Sequence, residues 1–245
     1  MDFTLVVPTL NLSTPSGEID SVATRRYANL GAETWIDHFL LNGSTTRGDA
    51  LSVDQRASVL DIWIDAVGPE RVLACCWNRE DINQALTRRV TPMVVMSDLQ
   101  DRDEALGFLA SLPGCSTVYS HPVMFDGVSF DADIAEAAAK LGCLPTGGKL
   151  AKIRLSEISQ IRQAAPAFRT WDGSSRHIAD SLEAGADGVV ATPLTASFPN
   201  CVGSKTIHEV QAIADPVQAT LDELPDRPAR TRYLHAQLRT VVASC

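Results

Sequence analysis

The chain has 245 residues, 45% of them apolar and 21% charged, which allows one large core and matches an ordinary soluble globular protein. Its 30 acidic and 21 basic residues leave a formal net charge of -9, which argues against a nucleic-acid partner and for small ligands held locally. No apolar run approaches the roughly 20 residues of a membrane span, and Met1-Asp2-Phe3-Thr4-Leu5 has no basic leader region, so a cytoplasmic protein without a membrane partner is expected.

In chain order, residues 3–7 predict a first strand and the amphipathic stretch 20–30, stopped by Gly31, a first helix. Strands then follow at 34–41, 71–76, 93–96, 116–119, 149–153, 167–171 and 188–191. Helices are expected between them at 53–67, 80–88, 101–111, 134–141, 156–164 and 176–184. Short apolar strands alternating with helices predict parallel β/α units, and a count of eight favours an α/β fold of the (β/α)8 TIM-barrel type with C-terminal helices. A doubly wound sheet is the alternative, but no G-x-G-x-x-G follows the first strand. The stretches 205–214 and 231–243 also look helical, broken by Asp215-Pro216 and by Leu224-Pro225-Asp226-Arg227-Pro228. The expected organisation is a barrel core over 1–200 and a helical extension over 201–245 packed upon it, one domain overall.

The six cysteines, Cys75, Cys76, Cys115, Cys143, Cys201 and Cys245, are scattered and form no C-x-x-C pair. Reduced thiols are expected, with Cys115 and Cys143 packed as small hydrophobes. No metal-ligand spacing is present, and His38 and His177 have no evident metal partners. Asp101 and Asp103 near Asp98 read as the favourable first turn of a helix.

Barrel function gathers where strands end, which selects the polar residues at 42–46, 77–78, 97–98, 119–121, 172–175 and 192–195, together with Lys149 or Lys152. Gly43-Ser44-Thr45-Thr46-Arg47-Gly48 ends a strand in a small, hydroxyl-rich turn whose free N–H groups suit an anion. Lys149 and Lys152 are out of character in an apolar strand. A desolvated lysine favours the neutral amine, which can attack a carbonyl to form a Schiff base; the bland alternative is a pair of strand-end lysines reaching water. Tyr119 could relay protons or fill the core, and His121 could line a pocket or fill the turn before Pro122.

Several segments, in order, resemble the dihydrodipicolinate synthase / N-acetylneuraminate lyase family of class I Schiff-base aldolases. Gly17-Glu18-Ile19-Asp20 is similar to its G-x-[IV]-D, and Gly43-Ser44-Thr45-Thr46 with Leu51-Ser52 to its G-T-T-G-E-x-x-x-L-S. Val118-Tyr119-Ser120-His121-Pro122 resembles its L-Y-N-x-P, and Leu144-Pro145 with Gly147-Gly148-Lys149 its L-P-N…G-x-K. Gly185-Ala186-Asp187-Gly188-Val189-Val190 resembles its G-A-D-G-[VI]-[IV]. The resemblance covers roughly the first two hundred residues.

The resemblance implies a lyase acting on pyruvate or another 2-oxo acid together with an aldehyde. Lys149 would form the imine, Tyr119 would move protons, and Ser44 and Thr45 would hold the carboxylate, Thr45 also standing close to the chemistry. Thr46, Arg47, His121, Ser174, Ser175 and Thr195 would complete the substrate site. It also implies a covalent imine in place of any metal or other cofactor, and a homodimer or homotetramer. A Schiff-base dehydratase or condensing enzyme, and a member that binds a small acid without turnover, are the alternatives. Thr46-Arg47 replaces the family's Gly-Glu, Ser120-His121 its Asn-containing segment, and Met124 an arginine of the synthases. Ser97-Asp98-Leu99-Gln100 lacks the synthases' relay tyrosine, and the chain is short around strands three to five. These departures argue against dihydrodipicolinate synthesis and leave the second substrate open.

Overall fold

The computed structural model describes residues 3–203 and 205–243; Met1, Asp2 and the expected free thiol Cys245 lie outside them. Eight strands run β1 Thr4–Pro8, β2 His38–Leu41, β3 Val72–Cys76, β4 Thr91–Val95, β5 Thr117–Ser120, β6 Gly147–Leu150, β7 Arg169–Asp172 and β8 Gly188–Val190. Each pairs parallel with the next, and β8 returns to β1, so the sheet is a closed barrel. Between them lie α1 Ser21–Ala32, α2 Val53–Val67, α3 Arg79–Thr87, α4 Arg102–Ala110, α5 Ala132–Leu141, α6 Leu155–Ala164 and α7 Ile178–Glu183. Then α8 Ile207–Glu223 and α9 Arg227–Ala243 follow β8. The expected (β/α)8 barrel with C-terminal helices is what the chain forms.

The helices start where side chains can satisfy free N–H groups. Asp20, Asn78, Asp101, Asp131 and Thr206 each accept from a first-turn amide, and Ser52 with Gln55 forms a capping box ahead of α2. Strand residues alternate between two apolar environments. Val6, Leu40, Cys75, Met93 and Trp171 fill the barrel interior, while Leu5, Phe39, Leu41, Cys76 and Val189 pack outward beneath helices. At Gly188 an added Cβ would lie 2.0 Å from the Thr4 carbonyl oxygen, so only glycine lets β8 close onto β1.

Most boundaries shift by a residue or two from those expected, and four of the differences have a visible cause. Strand β2 starts at His38 because the carbonyls of Ala32, Thr34 and Ile36 are taken by the Arg71 guanidinium at 2.9–3.2 Å. Strand β6 ends at Leu150, and Lys152 follows in a left-handed loop conformation at φ 63°. Helix α8 runs through Pro216, since the buried stripe Val210, Ala214 and Leu221 continues across it and only one amide donor is lost. Helix α9 begins before Thr231, with Pro228 in a first turn that needs no N–H there.

Helix α8 packs on α7 and the turn after β8, while α9 lies against α1 and the turn after β2. Leu221, Leu234 and Leu238 join the same apolar cluster as the outer barrel face. Cys75, Cys76, Cys115, Cys143 and Cys201 are all unpaired. Cys115 corrects the expectation of a packed thiol: it sits at a turn tip and is exposed, whereas Cys143 is half-buried.

Candidate active site

A cavity of about 570 Å³ opens at the C-terminal ends of the strands, where polar strand-end residues converge. Register sets two of its lining residues side by side: Tyr119 on β5 pairs with Lys149 on β6. Lys149 is only 5% exposed, and its Nζ stands 4.1 Å from the centre of the Tyr119 ring. No carboxylate lies within ion-pair distance of it among the described residues. Lys152 also lines the cavity but is exposed at its mouth, so the deep amine is that of Lys149.

Tyr119 is 1% exposed, and its phenol shares a 2.7 Å hydrogen bond with Ser44 Oγ. Ser44 belongs to a 3-10 turn, Ser44–Thr46, that follows β2 directly. The turn's later amides are used internally: Thr46 and Gly48 donate to the Gly43 carbonyl and Arg47 to that of Ser44. The amides of Ser44 and Thr45 have no acceptor among the described residues, and both residues line the cavity. Two N–H groups without an acceptor thus belong to residues that share the cavity lining with Lys149.

This turn is held from below by a buried ion pair. Arg56 on α2 donates to Asp81 on α3 at 2.8 Å, and both side chains are 6% exposed. Arg56 also donates to the carbonyls of Gly48, at 3.1 Å, and Leu51. Asp81 accepts from the Trp77 amide, and the Trp77 indole donates to the Asn42 carbonyl, both at 2.9 Å. At Gly48 an added Cβ would sit 1.8 Å from the Asn42 carbonyl oxygen, so only glycine allows the turn to fold back this closely.

His121 follows β5 and is half-buried at the cavity wall. Its Nδ1 accepts from the Met124 amide at 3.2 Å, so the neutral ring carries its proton on Nε2. Burial first, and then the charge of Lys149, hold its pKa below the ordinary 6.5. The same charge is felt inside the barrel by Cys75, whose thiol burial pushes up to about 12 while Lys149 pulls it back. On β7, Asp172 accepts from the Ser174 amide at 3.0 Å and from the Ser181 hydroxyl at 2.6 Å, which shapes the loop carrying Ser174 and Ser175. Burial raises the Asp172 pKa.

Of the expected site residues, Lys149, Tyr119, Ser44, Thr45, His121, Ser174 and Ser175 meet at this cavity. Three do not. Thr46 is buried with its hydroxyl accepting from Asn11 at 2.9 Å, because the 3-10 turn rotates it away. Arg47 takes a left-handed conformation at φ 55° and is exposed outside the cavity. Thr195 donates to the Pro8 carbonyl at 2.9 Å and closes the barrel seam. Among the described residues no group of three or more His, Cys, Asp and Glu side chains gathers as a metal site.

No family model matches the chain, and comparison with curated protein sequences finds no match. Solved structures do match. A dihydrodipicolinate synthase family protein from Coccidioides immitis is similar over 98% of this chain and 84% of its own, with a TM-score of 0.79 at 20% identity. YagE from E. coli K12, of the dihydrodipicolinic acid synthase family and solved with pyruvate, is similar over 96% and 87%, with a TM-score of 0.77 at 16% identity. The 2-keto 3-deoxygluconate aldolase from Picrophilus torridus is similar over 97% and 93%, with a TM-score of 0.78 at 15% identity. The fold is that of the dihydrodipicolinate synthase family.

Against that synthase-family fold, the resemblance seen in the sequence segments is a likeness of the whole barrel. What sequence reasoning missed is the roof. Arg227, Arg230, Thr231 and Leu234 from α9 line the cavity, and the Thr231 hydroxyl donates to the Thr45 carbonyl at 3.2 Å. The only signal for it was the run of basic residues around Pro228, which reads equally well as a solvated helix face.

Proposed function

We propose that the protein is a class I aldolase or lyase acting on pyruvate or a related 2-oxo acid through an imine on Lys149. The observation that carries the reading is the buried Lys149 amine, free of any carboxylate partner and 4.1 Å above the Tyr119 ring, whose hydroxyl meets Ser44. Once deprotonated, the amine attacks the 2-oxo carbon. The carbinolamine then loses its oxygen as water, for which Tyr119 supplies and recovers protons. The substrate carboxylate lies on the Ser44 and Thr45 amides and the Ser44 hydroxyl. The protonated imine acts as the electron sink: the adjacent carbon loses a proton to give an enamine that adds to an aldehyde, or the reverse cleavage releases that aldehyde. In this chemistry the lysine does the work that a metal does elsewhere, so no cofactor is called for.

Pyruvate bound to YagE and the aldolase activity of the Picrophilus torridus enzyme support the substrate class through the shared fold. A dimer or tetramer belongs to the same proposal and is read by sedimentation; a cytoplasmic location belongs to it as well. Among the described residues no helix is long and apolar enough to cross a membrane. The test is borohydride reduction in the presence of pyruvate followed by peptide mass mapping. One reduced pyruvate on Lys149 is the expected product. No adduct with any of several 2-oxo acids, or an adduct confined to Lys152, overturns the assignment.

A further inference from the structure

Pyruvate has six heavy atoms, and a cavity of about 570 Å³ is in the range that holds a much larger ligand. Its charge is also out of keeping with the chain. In a protein of formal net charge -9, the cavity wall carries Lys149, Lys152, Arg176, Arg227 and Arg230 against one carboxylate, Asp172. Both Asp172 oxygens are already occupied by Ser174 and Ser181, as described. Arg176 is paired with Asp222 on α8. The other three cations of the mouth have no carboxylate within ion-pair distance among the described residues. Arg227 approaches the Met124 sulfur at 3.8 Å, and Arg230 the Leu224 carbonyl at 3.4 Å.

We propose that Arg227 and Arg230 of α9, with Lys152, form a distal subsite for a terminal anionic group on the second substrate, a phosphate monoester or a carboxylate. Guanidinium groups suit either oxyanion, by paired N–H donors. The Thr231–Thr45 hydrogen bond ties the first turns of α9 to the turn that holds the carboxylate end, fixing the span between the two anionic ends. The local positive field would also raise the encounter rate of a doubly anionic ligand with an otherwise acidic protein.

This proposal rests on the Schiff-base reading, and the two can fail separately. Borohydride trapping with pyruvate on the wild-type protein tests the imine alone. Condensation of pyruvate is then compared for glyceraldehyde, glyceraldehyde 3-phosphate and succinic semialdehyde. The subsite predicts a kcat/KM at least about tenfold higher for one or both anionic aldehydes than for glyceraldehyde. It further predicts that this preference collapses in Arg227→Gln/Arg230→Gln and shrinks in Lys152→Gln. The phosphate and carboxylate arms say which oxyanion is used. A preference for glyceraldehyde, or an anionic preference untouched by the double substitution, overturns the subsite. Inorganic phosphate binding by calorimetry reads the subsite without turnover: saturable binding lost in the double variant supports it, and no binding to the wild-type protein counts against it even if no imine forms. Circular dichroism shows whether each variant is folded.

Discussion

At the scale of single residues, the proposed chemistry turns on a phenol held between two partners. Tyr119 meets Ser44 through its hydroxyl and Lys149 through its ring face. Removing that hydroxyl in Tyr119→Phe leaves the ring under the amine intact. We expect kcat to fall by about 10²–10⁴-fold while pyruvate still forms an adduct on Lys149, because general acid–base assistance is lost and the nucleophile is kept. Steady-state kinetics beside mass mapping checks this; an unchanged kcat would remove Tyr119 from the chemistry. Lys149 and Tyr119 were legible in the sequence because a charged and a phenolic side chain each interrupt an apolar strand. Thr46, Arg47 and Thr195 were not separable from Ser44 and Thr45, because side-chain direction in a 3-10 turn depends on backbone rotation that residue type does not reveal. Residue type alone does not separate Lys152 from Lys149, and the family resemblance favours Lys149; the structure adds that the strand ends at Leu150, before Lys152.

At the scale of elements, the site depends on contacts between α2, α3 and the turn after β2. Arg56 and Asp81 are both buried, so each charge relies on the other. Breaking such a pair from one side leaves an uncompensated buried charge, which costs about 3–5 kcal/mol. Asp81→Asn should therefore destabilise the fold by about that amount in urea unfolding, and weaken pyruvate capture as the Gly43–Gly48 turn loosens. A loss below about 1 kcal/mol would show that the pair does not hold the turn. Helix positions were legible to within a few residues from their amphipathic stretches and from stops such as Gly31 and Gly142; the caps Ser52 and Asp131 set the observed starts of α2 and α5. Pro216 and Pro228 misled at the C-terminal end. A proline signals a break from local chemistry alone, whereas α8 is carried past it by tertiary burial of Val210, Ala214 and Leu221. The part of α9 that roofs the cavity was illegible for a related reason: its arginines face a site built by residues far away in sequence.

At the scale of the whole molecule, eight β/α repeats were readable as a barrel, and the structural neighbours share that fold at 15–20% identity. Pattern survives where identity does not, because a barrel asks only for apolar strands, capped helices and a few close approaches such as Gly48 and Gly188. Its pH response is also a whole-chain property. Burial pulls His38, His121 and His235 below their ordinary 6.5; positive neighbours add to the shift at His121 and His235, whereas Asp37 opposes it at His38. The unfolded chain therefore takes up protons before the folded one as pH falls, and stability is lost below 6.5. The raised Asp172 acts with the opposite sign at more acidic pH, where the folded state holds its proton longer. Urea unfolding between about pH 7 and pH 5 should show a falling midpoint, the histidine range being crossed there; a midpoint that rises on acidification would contradict these environments.

The most direct measurement is the mass of the peptide containing Lys149 after borohydride treatment with pyruvate. An adduct of one reduced pyruvate on Lys149, absent without pyruvate and absent from Lys149→Met, is the predicted result. A protein that stays unmodified with pyruvate and other 2-oxo acids, or one modified only at Lys152, contradicts the Schiff-base account.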